Sequence, residues 1–183
     1  MNNDYASQES NLKFLQSYKI TNEAIHLLSG KQILIQKYFL NFNQWKGTPI
    51  LNSYGNKAVI DWNGEPLFAE LVVLRLFQSN GWEGVWVDSY RRKYRVGLPD
   101  IVSPINLSAE YEELINTIRT KTGRSGGCWD ILLWKDSKIL FIELKRRKKD
   151  SIQDSQKLWL EYSLAYGLLP SNFALIEWEL NHS

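Results

Sequence analysis

The stretch of sequence that decides the fold is GGCWDILLWKDSKILFIELK, residues 126–145. Two apolar runs flank a polar turn that begins at Lys135 and ends at Lys138, a pattern typical of a β-hairpin. With these two lysines opposite each other, the register also places Asp130 opposite Glu143. Directly opposed residues on antiparallel strands share a face, with Cβ atoms about 4.5–5.5 Å apart. The sequence therefore predicts two adjacent carboxylates on one face of the hairpin.

The chemistry of such a pair depends on its surroundings. Two carboxylates this close repel each other unless a cation lies between them. Mg²⁺ uses oxygen ligands of this kind, together with water and substrate phosphate. The period of two along a strand places Lys145 on the same face as Glu143, where it would orient an attacking water or offset charge on a phosphate. A solvated, charged face on an edge hairpin is the alternative interpretation.

These residues resemble the PD-(D/E)xK nuclease superfamily, and within it the VRR-NUC type. The resemblance covers about residues 126–178: an aspartate on one strand, Glu143-Leu144-Lys145 on the next, and Gln156 before Trp159-Leu160 on the following helix. It implies an α/β domain of the restriction-endonuclease-like fold, a mixed β-sheet flanked by helices. The implied activity is hydrolysis of phosphodiester bonds in DNA with Mg²⁺ or Mn²⁺ as cofactor.

The resemblance also implies roles for individual residues. Asp130 and Glu143 match the metal-binding carboxylates, and the backbone carbonyl of Leu144 would be a further ligand. Lys145 matches the catalytic lysine, and Gln156 matches the helix glutamine, a side chain that can hydrogen-bond a water or phosphate through both ends of its amide.

Two further acidic residues enter the prediction. Glu70, on a helix predicted over residues 66–79, is the candidate for the first-helix acid of the superfamily and a metal ligand; its alternative role is a helix-border residue that reaches water. Trp129 stands where the family has a proline before its aspartate, whereas Pro99-Asp100 offers a literal Pro-Asp elsewhere. Because a predicted helix separates Asp100 from Glu143, we favour Asp130 as the ligand.

Basic residues surround the predicted site, although the net charge of the chain is only +2. Cationic runs at 91–95 and 145–149 suit a phosphate backbone. The candidate nucleic-acid contacts are Arg91, Arg92, Lys93, Arg95, Arg124, Arg146, Arg147, Lys148 and Lys149. Backbone contacts carry no base information, so we expect weak sequence preference. The resemblance to VRR-NUC domains, which are associated with branched or flapped DNA, implies selectivity for ends, flaps or junctions. A junction cutter would need two active sites and hence a homodimer, whereas a flap or end nuclease would act as a monomer.

Composition excludes several classes of protein. Of the 183 residues, 44% are hydrophobic and 13% are aromatic, which excludes intrinsic disorder for most of the chain. No apolar run approaches the roughly 18–20 residues of a membrane helix, so we expect no membrane partner and a cytoplasmic location. One cysteine and two histidines exclude a disulfide framework and a Cys-based zinc site.

The domain prediction divides the chain in two. Residues 1–60 are predicted to form a helical extension packed on the core, with one helical pattern from Thr21 to Gly30 and a second over 31–42. Residues 61–183 are predicted to form the nuclease core. Its further elements are predicted as a strand at 84–88, a helix at 108–120, the hairpin, a helix at 152–166 and a strand at 173–178.

The sequence thus predicts a Mg²⁺-dependent deoxyribonuclease. The alternative from another class is a nuclease-fold module that binds nucleic acid or a partner protein without cleaving it. A third interpretation is an RNA-directed enzyme of the same fold.

Overall fold

The computed structural model describes residues 12–15, 18–55 and 57–181. These residues form nine β-strands and three α-helices. In chain order they are β1 (Lys19–His26), β2 (Gln32–Gln44), β3 (Ile60–Trp62), β4 (Glu65–Leu67), α1 (Ala69–Gln78), β5 (Glu83–Asp88), β6 (Lys93–Arg95), α2 (Ala109–Thr122), β7 (Ile131–Lys135), β8 (Lys138–Arg146), α3 (Asp154–Tyr166) and β9 (Phe173–Leu180).

The strands form one mixed sheet in the order β4-β3-β2-β9-β8-β7-β5-β6, with β1 paired to β2. Strands β7 and β8 are antiparallel, whereas β8, β9 and β2 run parallel to one another. The predicted α/β class with a mixed sheet flanked by helices is confirmed.

The helices cover both faces of the sheet. Helix α1 packs on one face, where Leu74 and Phe77 join Leu133 and Ile142 in one apolar cluster. Helices α2 and α3 pack on the other face around Phe141. Central strands buried on both faces have no polar side, which explains the unbroken apolar runs of β7 and β8. Among the described residues, no helix combines the length and the apolar character needed to cross a membrane.

The predicted core elements are confirmed, including the register of the hairpin. Ile131 pairs with Ile142, and Lys135 pairs with Lys138. The turn between them has two residues, of which Asp136 has a φ of 53°. Because this turn fixes the register, residue 130 lies where the prediction placed it, opposite the end of β8 that carries the Glu-Leu-Lys sequence.

The prediction of a helical N-terminal extension is wrong. Residues predicted as helical form the antiparallel hairpin β1–β2, and β2 lies inside the sheet beside β9. Gly30 has a φ of 85° in the β1–β2 turn and does not end a helix. The alternation in β2 was hidden because its early buried residues, such as Ile35, face the α2–α3 side while Leu40 faces the α1 side. A strand that supplies both layers shows no simple period of two.

The start of α1 also differs from the prediction. Pro66 lies in β4 rather than at the first position of the helix, and α1 begins at Ala69. The Asn63-Gly64 pair, with φ values of 52° and 85°, forms the turn between β3 and β4. Asn-Gly is the residue pair that a type I′ hairpin turn favours, since both positions require a positive φ.

Candidate active site

The hairpin brings Asp130 and Glu143 together, as predicted. Asp130 directly precedes β7, and its carbonyl accepts a 2.7 Å hydrogen bond from the N–H of Val87. Its carboxylate accepts a 2.9 Å hydrogen bond from the N–H of Leu144 on the neighbouring strand. The charge of Asp130 contributes to raising the pKa of Glu143, so the two carboxyl groups interact. Backbone contacts therefore fix Asp130 at one end of the hairpin.

Glu143 forms a closed network with the two other predicted catalytic residues. Lys145 Nζ lies 2.8 Å from Glu143 Oε1 and donates to Gln156 Oε1 at 2.9 Å. Gln156 Nε2 donates to Glu143 Oε1 at 2.5 Å. Glu143 is almost fully buried, whereas the side chain of Lys145 retains 13% exposure and can reach a bound molecule. The amide of Gln156 thus holds the carboxylate and the lysine in fixed positions.

The first turn of α3 is anchored beside the hairpin by two residues of the quoted stretch. Gly127 has a φ of 99°, and a Cβ atom there would lie 2.3 Å from the carbonyl oxygen of Ser155, so only glycine fits. The buried indole of Trp129 donates to the carbonyl of Gln156 at 3.3 Å. Gln156 also accepts from the N–H of Gln153 at 2.9 Å. This packing is the physical reason for a tryptophan before Asp130.

Glu70 approaches the same acids from the other side of the sheet. It lies in the first turn of α1 with 8% exposure. Its charge contributes to raising the pKa of Asp130, so the two acids interact electrostatically. Lys57, a residue that no sequence pattern singled out, lies 2.6 Å from Glu70 Oε1.

The surroundings of the site raise the pKa values of two of its acids. Burial and the charge of Glu70 raise the pKa of Asp130 to about 6, against the opposing effects of the Leu144 N–H and of Lys57 and Lys145. Burial and the charge of Asp130 raise the pKa of Glu143 well above its usual value. Clustered acids with raised pKa values are typical of functional sites.

The residues present fit a hard divalent cation. Glu70 Oε2 and Glu143 Oε2 are buried without a hydrogen-bond partner among the described residues. Buried carboxylate oxygens normally have a partner, and a cation would supply one. The described residues contain no compact cluster of three or more acidic, histidine or cysteine ligands. Mg²⁺ does not require one, because it is commonly bound through one or two carboxylates with water and substrate phosphate.

Removing the Asp130 carboxylate is expected to stabilise the cation-free protein at neutral pH. The pKa of Asp130 is about 6 in the folded protein and near 3.8 in the unfolded chain. Its contribution to the free energy of unfolding is therefore fully present below pH 3.8 and is lost as the pH rises through about 6. The advantage of Asp130→Asn over wild type should therefore grow from near zero at pH 4 to about 1–3 kcal/mol at pH 8. Urea denaturation of both EDTA-treated proteins between pH 4 and pH 8 measures this difference in the free energy of unfolding. Parallel pH curves for the two proteins would contradict the expectation.

The alternative aspartate lies elsewhere. The carboxylate of Asp100 accepts a 2.8 Å hydrogen bond from the hydroxyl of Ser53 and a 3.3 Å bond from its N–H. Neither contact involves β7 or β8. Asp100 therefore connects its own loop to the loop that carries Ser53. The structure brings Asp130, rather than Asp100, to Glu143.

Asp100→Ala is accordingly expected to retain cleavage within about threefold of wild type, the usual range for substitutions outside a core or a site. Initial rates of plasmid or oligonucleotide cleavage measure the effect. An inactive Asp100→Ala protein together with an active Asp130→Ala protein would instead assign the motif to Pro99-Asp100.

The predicted nucleic-acid contacts fall into two groups. The prediction that Arg95 contacts nucleic acid is wrong. Arg95 is buried in β6, and its Nε lies 2.7 Å from Asp88 Oδ2, so its side chain is not at the surface. Arg91 is half-buried and stacks on Tyr54 at 4.1 Å. The remaining predicted contacts are half-buried or exposed: Arg92, Lys93, Arg124, Arg146, Arg147, Lys148 and Lys149.

A cavity of about 330 Å³ opens beside Lys145. Its lining includes Lys157 from α3 and five residues from the unpredicted hairpin β1–β2, among them Glu23, His26 and Lys37. Lys37 and Glu23 form an ion pair at 2.6 Å. Sequence reasoning missed these residues because it placed them in a helical extension. The N-terminal hairpin therefore forms one wall of the site.

No family model, curated protein or solved structure matches this chain. The resemblance to the PD-(D/E)xK nucleases accordingly rests on the sequence of the hairpin and of α3.

Proposed function

We propose that the protein is a metal-dependent DNA nuclease with a restriction-endonuclease-like fold. The observation that carries the proposal is the pair Asp130 and Glu143, opposed on neighbouring strands, with Lys145 and Gln156 in direct contact with Glu143. A structural ion pair would not require a second carboxylate beside the buried one, since two neighbouring acids destabilise each other when both are charged.

Asp130 and Glu143 would hold Mg²⁺ or Mn²⁺, with the Leu144 carbonyl as a further ligand and Glu70 contributing through its negative charge. When bound, the cation would neutralise charge that develops on the phosphate and lower the pKa of a water molecule. Lys145 would donate a hydrogen bond to the phosphate or to the attacking water from a position fixed by Gln156. The packed apolar residues behind the hairpin would keep bulk water away from these groups and strengthen their electrostatic effect.

The surroundings of the site support an extended anionic substrate. The segment from Arg146 to Lys149 leaves the site directly after Lys145, and with Glu179, Leu180 and Asn181 it lines a cavity of about 490 Å³. Arg147 stacks on Phe39 at 4.7 Å, which combines a cation with an aromatic ring near the proposed path. Charge and stacking bind a nucleic-acid strand without reading its sequence. We therefore propose selectivity for ends, flaps or junctions.

The direct test is incubation of the protein with linear, circular, flapped and four-way-junction DNA in Mg²⁺, Mn²⁺ or EDTA. Cleavage of flapped or branched DNA in Mg²⁺ or Mn²⁺, and none in EDTA, is expected. Full activity in EDTA would exclude the mechanism. DNA binding without cleavage under every condition would favour the interpretation as a non-cleaving module. Cleavage of RNA but not of DNA would identify RNA as the substrate. Cutting at one short recognition sequence would contradict structure selectivity.

Neutralising the basic segment should weaken DNA binding for all sequences alike. Arg146→Gln, Arg147→Gln, Lys148→Gln and Lys149→Gln together should reduce the slope of log affinity against log salt by about 0.9 for each phosphate that the variant no longer binds. Fluorescence anisotropy in EDTA, over several salt concentrations, measures the slope. The control neutralises two exposed lysines outside this segment, Lys31 between β1 and β2 and Lys138 at the start of β8, and should leave the slope unchanged. Weaker binding to only one DNA sequence would contradict backbone binding.

A further inference from the structure

Lys57 places a second lysine among the carboxylates of the site. Its Nζ lies 2.6 Å from Glu70 Oε1, and it lies over the rings of Trp86 at 5.0 Å and Phe68 at 5.6 Å. The side chain of Lys57 is 29% exposed, and that of Glu70 is 10% exposed. Its positive charge also reaches Asp130, whose pKa it lowers. Lys57 is therefore a partly buried cation that contacts one acid of the site and whose charge acts on a second.

The surrounding loop holds Lys57 in this position. The side-chain amide of Asn52 donates to the carbonyl of Lys57 at 2.8 Å. Tyr54 packs on the same two rings, Phe68 and Trp86, with centroid distances of 5.8 and 5.5 Å. The Tyr54 hydroxyl donates to the buried carboxylate of Asp88. Since these contacts fix the loop, the ion pair with Glu70 is a built feature rather than a chance surface contact.

The charges explain what the lysine does. Two buried acids, Glu70 and Glu143, are each paired with a lysine, and the ion pairs of Lys57 and Lys145 each involve one oxygen of the acid. The second oxygens of Glu70 and Glu143 lack partners among the described residues. A divalent cation would satisfy these oxygens, but it would meet the positive charge of Lys57 at Glu70. Like charges repel strongly where little water screens them.

We propose that Lys57 is the resident counter-ion of Glu70, and that a divalent cation at Asp130 and Glu143 must compete with it. The inference rests on the proposed cation site. In the cation-free protein, the ammonium group offsets the charge of Glu70 and keeps the acids together. As a cation binds, the same ammonium group opposes it and limits its affinity. Lys57 is thus a positioning residue that sets how tightly the site holds its cation before DNA arrives.

The test measures Mn²⁺ binding in the absence of DNA. Lys57→Met removes the charge and keeps an apolar chain against Phe68 and Trp86. It is expected to bind Mn²⁺ about tenfold more tightly than wild type by calorimetry, because a repelling charge has been removed. Lys57→Arg keeps the charge and should stay near the wild-type affinity. Lys46→Met, at an exposed position of the same N-terminal region, should also be unchanged.

Glu70 supplies a second, independent measurement. In a Glu70→Gln background, Lys57 has no carboxylate with which to form an ion pair. The gain in Mn²⁺ affinity caused by Lys57→Met should therefore shrink to about twofold or less, as expected for a coupled pair in a double-mutant cycle. Thermal denaturation in EDTA confirms that each variant is folded. If Lys57→Met does not fold, Lys57→Gln takes its place in the cycle.

The outcomes separate this inference from the function on which it rests. Wild-type protein that binds neither Mn²⁺ nor Mg²⁺ would overturn both. Wild type that binds Mn²⁺, with a Lys57→Met protein that binds it equally or more weakly, would overturn the role of Lys57 alone. Loss of cleavage in Lys57→Met without any gain in Mn²⁺ affinity would assign the lysine to the phosphate instead.

Discussion

Glu143→Gln is expected to reduce cleavage by about three orders of magnitude or more, because a missing cation ligand removes several kcal/mol of transition-state stabilisation. The substitution preserves the shape of the side chain, and its amide oxygen can still accept the hydrogen bond that Gln156 donates. DNA affinity in EDTA should therefore remain near that of wild type. Initial rates and anisotropy titrations on the same substrate measure both quantities. Asp130→Asn should have a comparable effect.

Glu177→Gln is the matched control for this experiment. Glu177 pairs in register with Lys145 on the neighbouring strand, so its substitution removes a carboxylate from the same region of the sheet. It contacts Arg147 at 3.9 Å and does not belong to the Asp130–Glu143 pair. Glu177→Gln should leave cleavage within about threefold of wild type. A Glu143→Gln protein with activity similar to that of Glu177→Gln would exclude the proposed mechanism.

The centre of the site was predictable because it depends on local geometry. A two-residue turn fixes the register of the hairpin, so Asp130 and Glu143 follow from counting residues. Lys145 follows from the period of two along a strand. Gln156 could be placed because the helix behind the hairpin has a clear start and an apolar face. In each case, the prediction needed only one short segment of chain or two segments joined by a short turn.

The wall of the site formed by the N-terminal hairpin was not predictable in this way. Its position depends on a parallel pairing between β2 and β9, which are separated by most of the chain. Moreover, β2 buries residues on both faces, so its pattern resembles that of a buried helix. Lys37 and His26 were consequently assigned to a helical extension, although they line the cavity beside Lys145.

Long-range pairing also decides the roles of two charged residues. Arg95 belongs to a run of basic residues that is typical of a surface patch, but register with β5 directs it to the buried carboxylate of Asp88. A buried acid requires such a partner. Lys57 lies in a segment without regular structure between β2 and β3, where no periodicity indicates which way a side chain points. Its contact with Glu70 depends on how the loop packs over Phe68 and Trp86.

Lys145→Met is expected to reduce the cleavage rate by about 10²–10³-fold, the usual cost of removing one positioned donor from a transition state. The structure sharpens this expectation because Lys145 Nζ is held between Glu143 and Gln156. The carboxylates remain in place without it, so Mn²⁺ and DNA should still bind.

The control for Lys145 is Lys157→Met. Lys157 lines the same cavity but pairs with Asp154 at 3.0 Å on its own helix, so its substitution should change cleavage by about threefold or less. Gln156→Ala should fall between the two, because it frees Lys145 without removing its charge. The measurement is a single-turnover cleavage rate with saturating Mn²⁺ and DNA, which separates chemistry from binding. If Lys145→Met matched wild type in this assay, the lysine would serve only to neutralise Glu143, and the phosphate would need another donor.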